Sequence, residues 1–280
     1  MRNTIIQCEQ WLRDEVSNAH AKGIVLGLSG GIDSSVLAAL GREALGRDGV
    51  LGVIMPCRSI PDDESDARLL AEALDVNFER VDLTGVFDAL CAGVIGASEK
   101  GIYAGDTKSA DTQNAAYAGE VSSADTQKSA YAGDTHPSGN LDSLTMSNIK
   151  ARLRMVTLYA FAQSRNLLVC GTSNRSEYET GYFTKYGDSG VDVMPLAGFL
   201  KRDIRAMARL LNVPDRIITK APSAGLYEGQ TDESDMGFTY DVLDEYLASG
   251  KINDPQAKQR IDVMRRRSEH KRKPIPIFRP

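Results

Sequence analysis

The feature that most constrains the fold is a glycine-rich loop between an apolar run and a helical pattern. Residues 23–28 are the apolar run Gly-Ile-Val-Leu-Gly-Leu, residues 29–35 are the loop Ser-Gly-Gly-Ile-Asp-Ser-Ser, and residues 36–40 begin the helical pattern. This order predicts a buried parallel strand that leads through a tight turn into a helix. Paired glycines let the backbone approach a ligand closely, and the N–H groups of a helix N-terminus attract negative charge. The loop is therefore predicted to bind an anion.

One carboxylate stands inside this predicted anion site. Asp33 is surrounded in sequence by Ser29, Ser34 and Ser35, whose hydroxyl groups suit phosphate oxygens. A carboxylate repels phosphate unless a cation lies between them, and Mg²⁺ accepts both kinds of oxygen as ligands. The pattern predicts a pyrophosphate-binding loop with Mg²⁺. It is not a Walker A loop, because no Gly-Lys-Ser/Thr follows at the required spacing.

Two other interpretations of the loop are weaker. Residues 27–31 also fit G-x-S-x-G, the pattern of the nucleophile elbow of α/β-hydrolases, and His270 would have to complete a triad. That fold places several strands before its elbow, whereas only 28 residues precede Ser29 here, and no His-Gly-Gly-Gly stretch is present. A glycine-rich turn without a ligand would not explain seven consecutive residues of this kind between a strand and a helix.

Composition excludes several classes of protein. The chain has 280 residues, a formal net charge of −5 and four cysteines without a C-x-x-C pair. The charge argues against a general nucleic-acid binder, and the scattered cysteines indicate reduced thiols with no zinc or redox site. The polar, amphipathic N-terminus and the absence of a long apolar run argue against a signal peptide and a membrane span. We therefore expect a soluble cytoplasmic protein.

Short apolar strands alternate with helical patterns along most of the chain. Such alternation predicts an α/β fold with a doubly wound, mostly parallel sheet flanked by helices. Ligands bind such sheets beyond the carboxyl ends of the strands, at a topological switch point. Strands are predicted at 23–28, 49–56, 78–83 and 167–172, and helices at 3–19, from 36, at 61–74, 84–94, 148–161, 200–211, 239–248 and 254–267.

Residues 101–139 interrupt this alternation. A Tyr-Ala-Gly-acid unit recurs every fourteen residues, at 103–106, 117–120 and 131–134. Each unit offers one tyrosine and many small polar residues, which cannot bury enough surface to fold alone. We predict a low-complexity insertion within a single domain that spans 1–280.

Polar residues at the predicted carboxyl edge are further candidates. Glu177 follows the fourth strand and could supply a second metal carboxylate beside Asp33. Lys201 falls in the first turn of a predicted helix, where a cation is unfavourable unless an anion holds it. Residues 181–192 combine glycine, aromatic and charged residues, which is typical of a binding loop. The basic cluster at 265–273 is predicted to be either a solvated tail or a phosphate clamp.

These stretches together resemble one family. The loop Ser-Gly-Gly-x-Asp-Ser resembles the signature of the N-type ATP pyrophosphatases, and the later motifs are similar to those of ammonia-dependent NAD synthetases. The resemblance covers nearly the whole chain except the repeats, and it implies an adenine nucleotide alpha hydrolase-like fold. The motifs are Asn-Ile-Lys-Ala-Arg-Leu-Arg-Met at 148–155, Gly-Thr-Ser-Asn-Arg-Ser-Glu at 171–177, Gly-Tyr-Phe-Thr-Lys-Tyr-Gly-Asp at 181–188, Pro-Ser-Ala at 222–224, Gly-Gln-Thr-Asp-Glu at 229–233 and His-Lys-Arg at 270–272.

The resemblance implies that ATP adenylates nicotinate adenine dinucleotide and that ammonia then displaces AMP to give NAD. It also implies a homodimer, with ATP as co-substrate and Mg²⁺ bound by Asp33 and Glu177. Asp33, Glu177 and Lys201 would be the catalytic residues. By motif match, ATP would be bound by Gly27, Leu28, Ser29, Gly30, Gly31, Ile32, Asp33, Ser34, Thr172, Lys201 and Ser223, and the dinucleotide by Asn148, Arg152, Tyr182, Lys185, Asp188, Asp192, His270 and Lys271.

Two alternatives stay open at the sequence level. Another N-type pyrophosphatase, such as a tRNA-modifying enzyme or GMP synthetase, would share the loop, although a thiolating enzyme would show paired cysteines. A non-catalytic nucleotide-binding module would not need Asp33 and Glu177 together. No glutaminase domain precedes the loop in this sequence, so ammonia is expected to arrive free or from another protein.

Overall fold

In the computed structural model, four parallel strands form one sheet in the order β3-β2-β1-β4. The structure describes residues 1–99, 141–223 and 231–279. The predicted insertion at 101–139 lies outside the described residues. The strands are β1 (Ile24–Gly27), β2 (Val50–Ile54), β3 (Asn77–Arg80) and β4 (Leu168–Val169).

Helices cover both faces of the sheet. They are α1 (Arg2–Asn18), α2 (Ile32–Leu45), α3 (Pro61–Ala73), α4 (Thr84–Glu99), α5 (Ser143–Arg165), α6 (Arg175–Thr180), α7 (Lys201–Leu210), α8 (Asp215–Thr219), α9 (Asp232–Met236), α10 (Tyr240–Ser249), α11 (Pro255–Arg267) and α12 (Glu269–Arg272). None of the helices in the described ranges is long and apolar enough to cross a membrane.

Strand β1 lies in the middle of the sheet and defines its switch point. Ile24 pairs with Val50 of β2 on one side and with Leu168 of β4 on the other. The chain therefore winds outward from β1 through β2 to β3, and then returns to place β4 on the opposite side of β1. In open parallel sheets, the loops at such a point diverge and ligands bind in the crevice between them, which here lies beyond β1 and β4. The predicted doubly wound parallel sheet is confirmed.

Alternate residues of β1 divide the core into two layers. Ile24 and Leu26 pack with apolar residues of α1, α2 and α7, whereas Val25 packs with apolar residues of α4 and α5. All three side chains have no exposed surface. Since each face of a strand needs its own apolar cover, the continuous apolar run of β1 is explained by helices on both sides.

Some helices begin where sequence periodicity did not place them. Helix α5 begins at Ser143, because Asp142 caps it by accepting a hydrogen bond from the backbone N–H of Thr145 at 2.7 Å. Helix α9 begins at Asp232, in a part of the chain for which we predicted no helix, and Thr231 caps its N-terminus. A helix of five residues is too short to show an apolar period, so its cap was the available signal.

The C-terminal helices form a third apolar cluster, which packs beside α6. Tyr240, Leu243 and Ile261 have no exposed surface and form its centre. The junction to α6 requires glycine at position 181, which ends α6 with φ +69° and against which Ser268 packs so closely that a Cβ atom would clash. The C-terminal segment is thereby held against the residues that follow β4.

Candidate active site

The glycine loop forms a preorganised turn at the end of β1. Ser29 and Ser34 join their hydroxyl groups at 3.0 Å, and the Ser29 hydroxyl also accepts the backbone N–H of Gly31 at 3.2 Å. Gly30 has φ +75°, and a Cβ atom there would meet the carbonyl oxygen of Asp63 at the start of α3. Only glycine fits this conformation and this close approach. The loop directs the N-terminus of α2 toward the crevice beyond β1 and β4.

Three predicted catalytic residues meet at this crevice. The Nζ atom of Lys201 lies 2.6 Å from Oδ2 of Asp33 and 3.4 Å from Oε1 of Glu177. The Lys201 side chain is 2% exposed, and those of Asp33 and Glu177 are 16% and 15% exposed. The anion that holds Lys201 at a helix N-terminus is therefore this pair of carboxylates. Residues from the ends of β1 and β4 and from α7 converge on one point, as the topology requires.

Asn174 organises the two carboxylates, and sequence analysis assigned it no role. Its Oδ1 accepts the backbone N–H of Glu177 at 3.0 Å, while Glu177 Oε2 accepts the backbone N–H of Asn174 at 3.2 Å. This capping box begins α6 and fixes the Glu177 side chain. The Nδ2 atom of Asn174 donates to Asp33 Oδ1 at 2.8 Å. The Asn-x-x-Glu pattern at 174–177 was the signal that could have identified it.

A buried acid from α10 fixes the backbone at Lys201. Asp244 is 1% exposed, and its Oδ2 accepts the backbone N–H of Arg202 at 2.8 Å. Its Oδ1 accepts the hydroxyl of Ser176 at 2.6 Å, and the Ser176 oxygen accepts the backbone N–H of Lys201 at 3.2 Å. A carboxylate at a helix N-terminus compensates the dipole that disfavours Lys201 there. The lysine is thus anchored at its backbone and at its ammonium group.

Tyr240 and Asp232 complete the wall of the cluster. The Tyr240 hydroxyl donates to Asp232 Oδ2 at 2.9 Å and lies 3.3 Å from Glu177 Oε1. Its ring faces Lys201, whose Nζ lies 4.7 Å from the ring centroid, a distance typical of a cation–π contact. Neither residue was among the predicted site residues, because their distance in sequence from the glycine loop hides their proximity.

The cluster carries more negative than positive charge in a buried position. Among the described residues, Asp33 and Glu177 contact the ammonium of Lys201, and the charge of Asp232 acts on it from behind Tyr240. These three carboxylates and one ammonium leave a formal charge of −2 when all are ionised. Burial, followed by the charge of Asp33, raises the pKa of Glu177 to about 8 despite Lys201. Burial lowers the pKa of Lys201, but the carboxylates of Asp33 and Glu177 outweigh it and the net shift is upward. The lysine is therefore firmly protonated.

Most of the predicted dinucleotide-binding residues gather around residues 181–188. On α5, Asn148 accepts the Thr184 hydroxyl at 2.7 Å, and Arg152 donates to the Lys185 carbonyl at 3.3 Å. Within the segment, Asp188 accepts the backbone N–H of Thr184 at 2.8 Å. Two residues near the C-terminus join the group. Lys185 donates to the His270 carbonyl at 2.8 Å, and Lys271 donates to the carbonyls of Gly181 and Phe183 at 2.8 and 2.6 Å. The hydroxyl of Tyr182 turns to another partner and donates to Asp235 at 2.8 Å.

Three predicted residues lie outside these two groups. Asp192 turns toward β4, where its oxygens accept the backbone N–H of Val169 at 2.8 Å and the hydroxyl of Tyr159 at 3.0 Å. Thr172 is half-buried in the segment between β4 and α6, and Ser223 is exposed in the segment that follows α8. The structure thus gives Asp192 a clear part in holding β4 against α5.

Arg154, in the first half of α5, contacts the turn that follows β2. Its side chain donates to the Met55 carbonyl and to the Ser59 hydroxyl, each at 3.2 Å. It therefore holds the turn that follows β2 at the same edge of the sheet as the glycine loop. Burial lowers the pKa of Arg154. Both of its acceptors are neutral, so these hydrogen bonds hold the turn without an ion pair.

Comparison with known proteins identifies the family of this chain. The NAD synthase family model matches residues 4–123 and 118–275. A curated relative from Finegoldia magna, named NH(3)-dependent NAD(+) synthetase, is 46% identical over 264 residues that cover 94% of this chain and 90% of that protein. A relative of the same name from Carboxydothermus hydrogenoformans is 40% identical over 263 residues, which cover 94% of this chain and 91% of that protein.

Solved structures show the same fold. NMN synthetase from Francisella tularensis superposes with a TM-score of 0.80 at 32% identity, covering 99% of this chain and 98% of that one. NH3-dependent NAD synthetase from Campylobacter jejuni superposes with a TM-score of 0.70 at 25% identity, with the same coverage. The family model and the relatives extend over nearly the whole chain, so this protein belongs to the NAD synthase family.

Proposed function

We propose that the protein catalyses the ATP-dependent amidation of nicotinate adenine dinucleotide with ammonia, which yields NAD, AMP and pyrophosphate. It is thus a ligase that forms a C–N bond. The observation that carries the proposal is the meeting of Asp33, Glu177 and Lys201 beside the N-terminus of α2. A buried, acid-rich cluster beside an anion-binding loop suits a reaction in which pyrophosphate leaves and an uncharged amide forms.

The chemistry needs positioning more than a protein nucleophile. A nicotinate carboxylate oxygen attacks the α-phosphorus of ATP, an O–P bond forms, and the bond to the β-phosphate oxygen breaks. Ammonia then attacks the acyl carbon, a C–N bond forms, the C–O bond to AMP breaks, and protons pass to solvent. The serine hydroxyls and N–H groups of the glycine loop stabilise the charge on the leaving pyrophosphate, and the crevice holds the reactants in line.

The residues of the cluster fit Mg²⁺. Asp33 and Glu177 offer the carboxylate oxygens that this ion prefers, and they lie side by side around the same ammonium group. We propose that these two residues hold the ion, which would supply electrostatic stabilisation of phosphate charge when bound. Lys201 neutralises part of the same charge and would contact ATP.

The remaining proposed contacts follow from the match to the family's motifs. ATP would be bound by the loop from Gly27 to Ser34 together with Thr172 and Ser223. The dinucleotide would lie against residues 181–188, beside Arg152, Lys185 and His270, which hydrogen bonds connect to one another. We also propose a single domain, since the described ranges pack through adjoining apolar clusters, and a cytoplasmic location.

The direct test is to incubate the purified protein with ATP, Mg²⁺, ammonium and nicotinate adenine dinucleotide. We expect NAD, AMP and pyrophosphate in equal amounts. Release of pyrophosphate without NAD would instead favour another pyrophosphatase of this fold. Nucleotide binding without turnover would favour a non-catalytic module.

A second candidate substrate is nicotinate mononucleotide. It is favoured by the TM-score of 0.80 to the structure of an NMN synthetase, above the value of 0.70 for an NAD synthetase. The reaction would be the same amidation on a substrate without the AMP portion. Measuring kcat/KM for both substrates in the same assay distinguishes them, because the preferred substrate has the higher value.

We further propose that the protein is a homodimer that uses the outer face of α4 and α5. Val86 and Leu90 lie one turn apart on α4 and are 54% and 43% exposed, and Val156 on α5 is 59% exposed. A second copy would bury these exposed apolar side chains, and apolar burial drives association. The dinucleotide-binding residues Asn148 and Arg152 lie on α5 as well, so the interface would adjoin the site.

Introducing charge at this face is expected to dissociate the dimer. Val156→Glu should give a monomer by light scattering at a concentration where the wild type is dimeric, because a buried carboxylate without a partner is costly. Ile6→Glu is the matched control, since Ile6 on α1 is 57% exposed on another surface. A monomeric wild type, or a Val156→Glu variant that stays dimeric, would contradict this interface.

A further inference from the structure

One oxygen of the active-site cluster is buried and has no hydrogen-bond partner. Asp232 is 4% exposed, and its Oδ2 accepts the Tyr240 hydroxyl. Within the described part of the chain, Oδ1 is a buried atom without any partner. An unpaired buried carboxylate oxygen is costly, and a bound hydrogen-bond donor would remove that cost.

The position of Asp232 links this oxygen to the reaction site. Its partner Tyr240 contacts Glu177, and the Tyr240 ring faces the Lys201 ammonium. The same cluster therefore already binds one ammonium group through carboxylates and an aromatic ring. Burial raises the pKa of Asp232, while the nearby Lys201 charge opposes that rise.

The geometry distinguishes Asp232 from the two carboxylates proposed for Mg²⁺. Among residues 1–99, 141–223 and 231–279, no three acidic, histidine or cysteine side chains converge as one metal site. Asp33 and Glu177 both contact Lys201 directly, whereas Asp232 reaches Glu177 only through the Tyr240 hydroxyl. The free oxygen of Asp232 thus suits a separate, smaller charge.

We propose that Asp232 Oδ1 binds the ammonium ion that delivers the nitrogen of the new amide. This inference rests on the proposed amidation. An ammonium ion donates hydrogen bonds in four directions and carries one positive charge, which matches an unpaired carboxylate oxygen beside an aromatic ring. Loss of one proton from the bound ion to solvent would give NH3, and the nitrogen of NH3 would then attack the acyl carbon as AMP leaves. Tyr240 connects this position to Glu177 and Lys201.

The test substitutes Asp232 by Asn, which keeps the size of the side chain and removes its charge. With ATP, Mg²⁺ and the dinucleotide saturating, we expect the KM for ammonium to rise at least tenfold. The KM values for ATP and the dinucleotide should change less than twofold. The exchange of labelled pyrophosphate into ATP, measured with the dinucleotide and without ammonium, should keep its wild-type rate because it reports adenylation alone.

Asp241→Asn is the matched control, because Asp241 lies on α10 beside Tyr240 but its side chain is 84% exposed. It should leave all three KM values unchanged. If Asp232→Asn does not fold, the wild type still tests the inference through K⁺, which has the charge and nearly the size of ammonium. We expect K⁺ to compete with ammonium and not with ATP.

The outcomes distinguish failure of the ammonium site from failure of the proposed amidation. An unchanged KM for ammonium in Asp232→Asn, or equal losses in exchange and amidation, overturns the ammonium site while NAD formation by the wild type upholds the proposed reaction. Inhibition by K⁺ that does not compete with ammonium also overturns it. Absence of NAD formation by the wild type at any ammonium concentration overturns the proposed reaction itself.

Discussion

Asp33→Asn is expected to lower the rate of pyrophosphate release roughly a thousandfold and to leave the fold intact. A metal ion that stabilises phosphate charge contributes several kcal/mol to a transition state, and Asp33 is a proposed ligand of that ion. The substitution keeps the shape of the side chain, and it removes one of three carboxylates from a cluster with a single ammonium. The loss of charge should therefore not unfold the protein.

The measurement is pyrophosphate release at several Mg²⁺ concentrations, with circular dichroism and the melting temperature as checks on the fold. High Mg²⁺ should restore part of the activity, because the weakened site then fills more completely. Asp241→Asn is the control for an exposed aspartate. A rate near that of the wild type at ordinary Mg²⁺ would show that Asp33 is not a metal ligand.

The sequence was sufficient for the sheet and for one side of the site. The apolar run of β1 is buried on both faces, as its composition predicted, and the glycine loop follows it directly. Lys201 was predicted to need an anion at its helix N-terminus. Its partners in this structure are Asp33 and Glu177, which were predicted separately as metal ligands.

The other side of the site could not be predicted, because distant parts of the chain supply it. Tyr240 and Asp232 belong to short helices near the C-terminus, and only the third apolar cluster brings them against α6 and α7. Their individual sequence contexts resemble an ordinary amphipathic helix and a polar loop. Asn174 is the exception, since its spacing from Glu177 is a recognisable capping box.

The charge of the basic cluster at 265–273 did not distinguish a solvated tail from a phosphate clamp. Arg272 donates to the Tyr178 carbonyl at 3.1 Å, and Ser268 donates to the Thr180 carbonyl at 3.0 Å. Together with Lys271, they satisfy carbonyls at the end of α6 and just beyond it, where cations are favourable. These side chains hold α6 in place rather than forming a solvated tail. Backbone acceptors leave no trace in sequence, so this function was not foreseeable.

Lys201→Met is expected to be the most destabilising change at the site. Methionine preserves the apolar stem, but it removes the only ammonium that contacts Asp33 and Glu177 within the described residues. Breaking a buried ion pair costs about 3–5 kcal/mol, which for a chain of this size lowers the melting temperature by about 10 °C. The melting temperature at pH 8.5 without Mg²⁺ measures this effect.

The destabilisation should shrink as the pH falls. A carboxyl group whose pKa is higher in the folded than in the unfolded state keeps its proton only when folded, so stability falls as the pH rises between the two values. The pKa of Glu177 is already about 8 in the presence of Lys201, and losing the cation raises it further. The difference in melting temperature between wild type and variant is therefore expected to be smaller at pH 6 than at pH 8.5.

Lys258→Met is the matched control for this comparison. Lys258 Nζ lies 2.6 Å from Asp262 Oδ2, the same separation as between Lys201 and Asp33, but the Lys258 side chain is 47% exposed. An exposed pair contributes about 0–1 kcal/mol, so this variant should melt close to the wild type at both pH values. Added Mg²⁺ should raise the melting temperature of Lys201→Met more than that of Lys258→Met, since a divalent cation can replace the missing charge only at the active site. Equal melting temperatures for the two variants at pH 8.5 would show that burial of the Asp33 and Glu177 carboxylates does not depend on Lys201.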